Sequence, residues 1–126
     1  MSTLSTSQAK EKKVTPMMAQ WHHCKRQAKD ALLLFRMGDF YEAFYDDATI
    51  ICEKINLTLT QRQGIPMCGV PVNNLDTYVD KLIEKGFSVG IAEQTEDPKK
   101  AKGLVKRELV RILSRGTTSK IGRAHV

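Results

Sequence analysis

No part of this 126-residue sequence stays apolar long enough to cross a bilayer. The longest apolar run covers residues 31–35, against the roughly 20 residues that a spanning helix needs. The first thirteen residues are rich in Ser, Thr and Lys and lack the apolar centre of a secretory signal. Cysteine is scarce. Cys24, Cys52 and Cys68 are odd in number and contain no Cys-x-x-Cys pair, which points to neither a disulfide framework nor a zinc site. Such thiols suit packing in a reducing compartment, so a cytoplasmic protein is expected. No G-x-x-x-x-G-K-[ST] loop and no internal repeat occurs, so nothing here can cradle a nucleotide in the phosphate-loop manner.

What is present is one domain's worth of chain, with 41% hydrophobic and 27% charged residues, an ordinary balance for a packed core. The net charge of +6 is unevenly spread. Residues 1–98 hold 11 basic and 13 acidic side chains, whereas residues 99–126 hold 9 basic side chains and only Glu108 on the acidic side. A localised basic stripe is the electrostatic footprint of phosphate binding, or else a solubilising tail.

Thr15-Pro16 marks a helix start, with Met17, Trp21, Cys24 and Ala28 as its buried stripe. The adjacent His22 and His23 point apart on a helix and make a poor metal pair. Residues 31–36 read as a short buried strand, broken at Met37-Gly38. Asp39 then starts a second helix, with Glu42 at capping-box spacing, Phe44, Ala48, Ile51 and Ile55 facing inward, and Asn56 as the stop. Residues 57–61 alternate as a strand, Arg62-Gln63-Gly64 turns, and residues 65–70 are extended. Pro66 and Pro71 flank that segment and argue for an edge position. A third helix carries Leu75, Tyr78, Val79, Leu82 and Ile83, and stops at Gly86. Residues 87–93 form a strand, 97–103 a lysine-rich loop, and 104–113 a last strand with Lys106, Arg107 and Arg111 exposed. Alternating helices and strands predict an α/β domain, a mixed β-sheet flanked by α-helices. The expected layout is a disordered tail over residues 1–14, a domain over 15–118, and a C-terminal tail or vector-derived residues over 119–126.

The most informative stretch is Arg36-Met37-Gly38-Asp39-Phe40-Tyr41-Glu42, followed by Phe44-Tyr45-Asp46-Asp47-Ala48. It resembles the signature of the mismatch-recognition domain of the MutS family of DNA mismatch-repair proteins. Thr15-Pro16-Met17-Met18, Leu59-Thr60-Gln61-Arg62, Ile65-Pro66-Met67-Cys68-Gly69-Val70-Pro71, residues 89–94 and Asp97-Pro98 agree in the same order. Two places depart from the family pattern: the loop between Arg62 and Ile65 is short, and Arg115-Gly116-Thr117 stands where Pro-Gly-Thr is usual.

The resemblance implies a DNA-binding module, not an enzyme, whose partner is mismatched double-stranded DNA. It implies that Phe40 stacks on a mispaired or unpaired base from the minor groove of kinked DNA and that Glu42 hydrogen-bonds that base. Arg62 and Arg107 fall at family positions that meet the DNA backbone, and Met67 in a loop that approaches the minor groove. No cofactor is expected in this fragment. ATP and magnesium, a homodimer and binding to MutL are expected of the full-length parent, and no membrane partner.

Read from the residues alone, Phe40 could extend the core stripe of Phe44, and Glu42 could merely close a cap with Asp39. Arg36 could be a DNA contact or a structural ion pair. A metal-dependent nuclease is the alternative from another class. Its motive is that Asp39, Glu42 and Asp46 would share one helix face, and two-metal catalysis needs converging carboxylates.

Overall fold

Thr15 opens the first helix as expected. In a computed structural model that describes residues 14–120, with side chains as far as Gly116, its hydroxyl accepts from the Met18 N–H at 3.2 Å. Pro16 sits in the first turn, where its missing N–H costs nothing. This helix, α1 (Pro16–Ala28), buries Met18, Trp21, Cys24 and Ala28. The inward methionine is thus Met18, while Met17 is only partly covered.

Strand β1 (Leu32–Met37) follows. Its leucines and Phe35 are buried on both faces, as suits a central strand. Gly38 and Asp39 then form a two-residue turn, and the chain returns as β2 (Phe40–Phe44), antiparallel to β1 with Met37 opposite Phe40. The second helix does not begin at Asp39. Gly38 has φ +60° and Asp39 does not share it, the pattern of a II′ hairpin turn, for which Gly-Asp between apolar runs is a known signal. The Asp39–Glu42 spacing imitates a capping box by coincidence.

Helix α2 (Tyr45–Ile55) starts only at the far end of β2 and buries Ala48, Ile51 and Ile55. It ends on Asn56 in the left-handed conformation, as expected of a C-terminal stop. Asp47 in its first turn ties the layers together. Its Oδ2 accepts from the Leu33 N–H of β1 at 3.1 Å. The same carboxylate meets Lys25 Nζ at 2.9 Å, and Lys25 also donates to the Ala31 carbonyl at 2.7 Å.

Strands β3 (Thr60–Arg62) and β4 (Ile65–Pro71) form a second hairpin. Gln63 and Gly64 both have positive φ, as a tight I′ turn demands. The expected strand at 57–61 is therefore displaced toward the turn. β4 is not an edge strand: it lies between β3 and β2. Its prolines are tolerated because Pro66 pairs only with β3, beyond the reach of β2, and Pro71 is the last residue of the strand.

After a 3₁₀ turn (Val72–Asn74), α3 (Leu75–Glu84) packs Leu75, Val79 and Leu82 inward. It closes with Gly86 N–H on Ile83 O and Phe87 N–H on Leu82 O, the double bond of a glycine C-cap. Strands β5 (Val89–Gln94), β6 (Arg107–Ser114) and β7 (Thr117–Lys120) complete the sheet. β6 begins three residues later than expected. β7 includes Ser119 and Lys120, which the expected boundary left in a tail. Residues 1–13 and 121–126 of the expected tails lie outside the described residues.

Among the described residues the sheet is mixed, with seven strands in the order β3-β4-β2-β1-β5-β6-β7 and one parallel pair, β1 with β5. Helices α2 and α3 cover one face, where Leu32, Leu34, Tyr41, Ala43, Val89 and Ile91 pack. Helix α1 covers part of the other, over Leu33, Phe35, Phe44, Ala92 and Leu109. This is the α/β architecture that the alternation of elements predicts. No helix among the described residues is long and apolar enough to cross a membrane.

Candidate nucleic-acid interface

Side chains on a strand alternate between faces. In β2, Tyr41 and Ala43 join the α2–α3 core, so Phe40, Glu42 and Phe44 share the other face. Phe44 reaches the shelter of α1, but Phe40, the first residue after the turn, remains 45% exposed. Phe40 is thus no member of a helical core stripe, and the expectation of a helix N-terminus beside it falls with the helix. Its ring lies over Gly69 of β4: a Cβ added there would meet Phe40 Cδ1 at 3.6 Å. Glycine inside a strand often marks such a close approach.

Glu42 pairs with Phe35 on one side and Gly69 on the other. It is only 8% exposed. Its carboxylate faces Arg62 Nη2, at 3.4 Å from Oε1 and 3.5 Å from Oε2. Burial pushes the Glu42 carboxyl above its ordinary pKa, and the charges of Arg62 and Arg107 only partly oppose this. Arg62 Nε is buried and lacks a hydrogen-bond partner among the described residues.

Arg107 is not on an exposed position of its strand. It is 8% exposed, with Nε donating to Arg36 O at 2.6 Å and Nη1 to Gln20 Oε1 at 2.9 Å and Val105 O at 3.0 Å. Its guanidinium carbon lies 5.2 Å from the Phe35 ring centroid. Burial lowers its pKa, and the neighbouring Glu42 carboxylate pulls it back up. Met67 is half-buried, opposite Phe44 and Thr60, at the far end of the strand pair from Phe40. The fold thus sets Phe40 and Glu42 on one face of β2, brings the Arg62 side chain to Glu42 from the far end of the β3–β4 hairpin, places the Arg107 charge near Glu42, and leaves Met67 opposite Phe44.

Two contributors, Tyr41 and Glu93, escape a local reading of the sequence, and Arg36 links them to the turn. Arg36 donates from Nε to Gly38 O at 2.6 Å and so clips the turn that carries Phe40. Its Nη1 lies 3.6 Å from Glu93, and of the two roles open to it the structure displays the ion pair. Glu93 in turn accepts from the Tyr41 hydroxyl at 2.6 Å, and burial followed by that bond raises the Tyr41 pKa. Gly69 did leave a local sign, as a glycine inside an apolar strand.

The nuclease alternative loses its geometry. Asp39 lies in the turn, Glu42 is buried in β2, and Asp46 is on α2. No group of three or more His, Cys, Asp or Glu among the described residues could hold a metal. His22 packs its ring against Trp21 and Tyr45. Cys24 and Cys68 are buried, and burial next to Cys52 pushes the Cys68 thiol up to about 12.

Comparison with known proteins matches residues 15–121 to the family model of MutS domain I. Relatives named DNA mismatch repair protein MutS include that of Protochlamydia amoebophila, 59% identical over 93% of this chain and 14% of the relative. That of Chlamydia pneumoniae is 59% identical over 85% of this chain and 14% of its own length. That of Thermosipho melanesiensis is 54% identical over 83% and 13%. The chain spans about a seventh of the length of these relatives. With the match covering most of its residues, the chain belongs to the MutS domain I family.

Proposed function

We propose that the chain is a DNA-binding, non-catalytic module of mismatch repair. It detects mispaired or unpaired bases by inserting Phe40 from the minor groove into a kinked duplex, while Glu42 hydrogen-bonds the displaced base. The observation that carries this reading is a half-exposed phenylalanine at the end of a sheet, beside a buried carboxylate on the same face, in a MutS domain I chain. An apolar ring that wedges between base steps must unstack them. A mispaired step is already poorly stacked and easily bent, so the wedge discriminates by deformability.

Glu42 sharpens that discrimination. A carboxylate near DNA repels phosphates on any duplex, whereas its hydrogen bond is available only to a displaced base. Because burial favours its protonated form, it can donate as well as accept. Arg62 holds it in place and has exposed surface left for the backbone. Met67 would border the groove further along. Arg107 has its Nε and Nη1 hydrogens committed inside the domain, which fits support of the Arg36 carbonyl better than a phosphate contact. We assign ATP and magnesium use, homodimerisation and MutL binding to the longer protein typified by the relatives.

The test is titration of the chain with labelled matched and G·T duplexes at stated salt. Micromolar or weaker binding is expected, on the order of non-specific values, and it should fall as salt rises. Glu42→Ala should raise affinity for matched DNA and lower the mismatch-to-match ratio, because repulsion vanishes from both duplexes and the base hydrogen bond from one. An unchanged ratio with a lowered melting temperature would leave Glu42 a purely structural residue.

A further inference from the structure

The basic bias of the C-terminal quarter is not used by the Phe40–Glu42 corner. Much of it lies in the loop of residues 95–106, which joins β5 to β6. The base of this loop is held firmly: Thr95 N–H bonds to Lys106 O at 2.9 Å, and the Val105 carbonyl accepts from Gln20 and Arg107, each at 3.0 Å. Its acids are exposed but accept from backbone. Glu96 Oε1 accepts from the Lys106 N–H and Asp97 Oδ1 from the Lys99 N–H, both at 2.9 Å. Its lysines are not so engaged. Lys99, Lys100 and Lys102 are exposed, and none of the three forms an ion pair among the described residues.

The sheet register places this loop beside the wedge. β1 and β5 run parallel with Phe35 next to Ala92, so Gln94, where the loop departs, lies at the same end of the sheet as the Gly38–Asp39 turn. Only β1 separates β5 from β2, which sets the loop base about 10 Å from the strand carrying Phe40. A minor groove is about 6 Å wide between its sugar–phosphate walls. A ring in the groove and a lysine loop one strand further out therefore match a groove floor and its bordering phosphates.

We infer that the 95–106 loop is a phosphate-binding arm that grips the duplex backbone beside the step entered by Phe40. The inference rests on the proposed function and adds to it a second grip of a different kind: sequence-blind, equal on matched and mismatched DNA, and sensitive to salt.

The test uses the 126-residue chain carrying Lys99→Gln, Lys100→Gln and Lys102→Gln together, compared with the unaltered chain and with Phe40→Ala. Binding to matched and G·T duplexes is followed over a series of salt concentrations. Each lysine–phosphate pairing removed should flatten the slope of log affinity against log salt by about 0.9. The triple variant should therefore show a slope shallower by about 2 to 3, with both duplexes weakened by the same factor and an unchanged melting temperature. An unaltered slope would overturn the arm, and so would weakening confined to the mismatched duplex. The wedge fails separately: Phe40→Ala with an unchanged mismatch ratio, alongside a flattened slope in the lysine variant, would remove the wedge and keep the arm. Failure of the unaltered chain to bind either duplex at the lowest salt would overturn both.

Discussion

Phe40 and Phe44 stand at opposite ends of one short strand and point to the same face, yet their surroundings differ completely. Phe44 is fully buried, edge-on to Trp21 at 6.0 Å between ring centroids. Beyond it, Asp47 joins α1, β1 and α2 with every carboxylate oxygen engaged. Phe40 has one flank in solvent. Two residues along the same face lies the buried Glu42 carboxylate, which Arg62 meets only at 3.4 Å. One end of β2 is enclosed and the other is open. Burial and complete hydrogen bonding stabilise a fold, whereas an exposed aromatic and an under-paired carboxyl cost stability and are kept where a ligand can complete them.

The largest difference should come from making the same substitution at the two ends. Phe44→Ala removes a fully enclosed ring and should cost about 3–5 kcal/mol, a large share of the roughly 5–15 kcal/mol typical of a domain. Phe40→Ala should cost about 1 kcal/mol or less but erase mismatch preference by about ten- to hundredfold, the worth of one stacked base. Urea unfolding of both variants checks the first half and duplex titration the second. Equal destabilisation by the two would abolish the contrast.

A smaller effect is expected at Asp47. Asp47→Ala strands the Leu33 N–H and should cost about 1–3 kcal/mol, read as a lower urea midpoint with an unchanged mismatch-to-match ratio. A change within about 0.5 kcal/mol, the scatter of surface substitutions, would show that the knot is dispensable.

The subtlest test is pH. The folded state raises the pKa of Glu42 through burial, so it binds that proton more tightly than the unfolded chain does. The stability this contributes is fully present below the ordinary carboxylate range and is lost as pH rises through the raised value. Glu42→Gln, which mimics the protonated form, should therefore gain stability relative to the unaltered chain between about pH 4 and neutrality. Parallel stability curves over that window would refute the assignment.

Local pattern carried much of the architecture. α1, β1, α3 and β5 are legible because their apolar periodicity, capping residues and glycine stops agree with one another. β2 was obscured by two signals superimposed on four residues: Gly38-Asp39 is a hairpin turn, while Asp39 and Glu42 have the spacing of a cap. Only the pairing of β2 with β1 and β4 decides between them. Of the candidate site, Phe40 and Glu42 were proposed from the resemblance of their motif, and their role is for the duplex titrations to test. The burial of Arg107 was not legible, because its partners Gln20 and Arg36 lie 87 and 71 residues away in sequence. Nor could spacing reveal that Glu42 faces Arg62, which a separate hairpin delivers.

The parallel pairing of β1 with β5 also has a consequence for how the chain is made. The β1–β2 and β3–β4 hairpins form from neighbouring residues, and such local pairings close quickly. β1 cannot acquire β5 until both hairpins and α3 have been passed. In a chain growing from its N-terminus, Leu32, Leu33, Leu34 and Phe35 therefore wait with one backbone edge open, and an open apolar edge invites pairing with another molecule. Nascent chains halted before Val89 should thus aggregate or recruit chaperones, and release once residues 89–94 clear the ribosome should end that exposure.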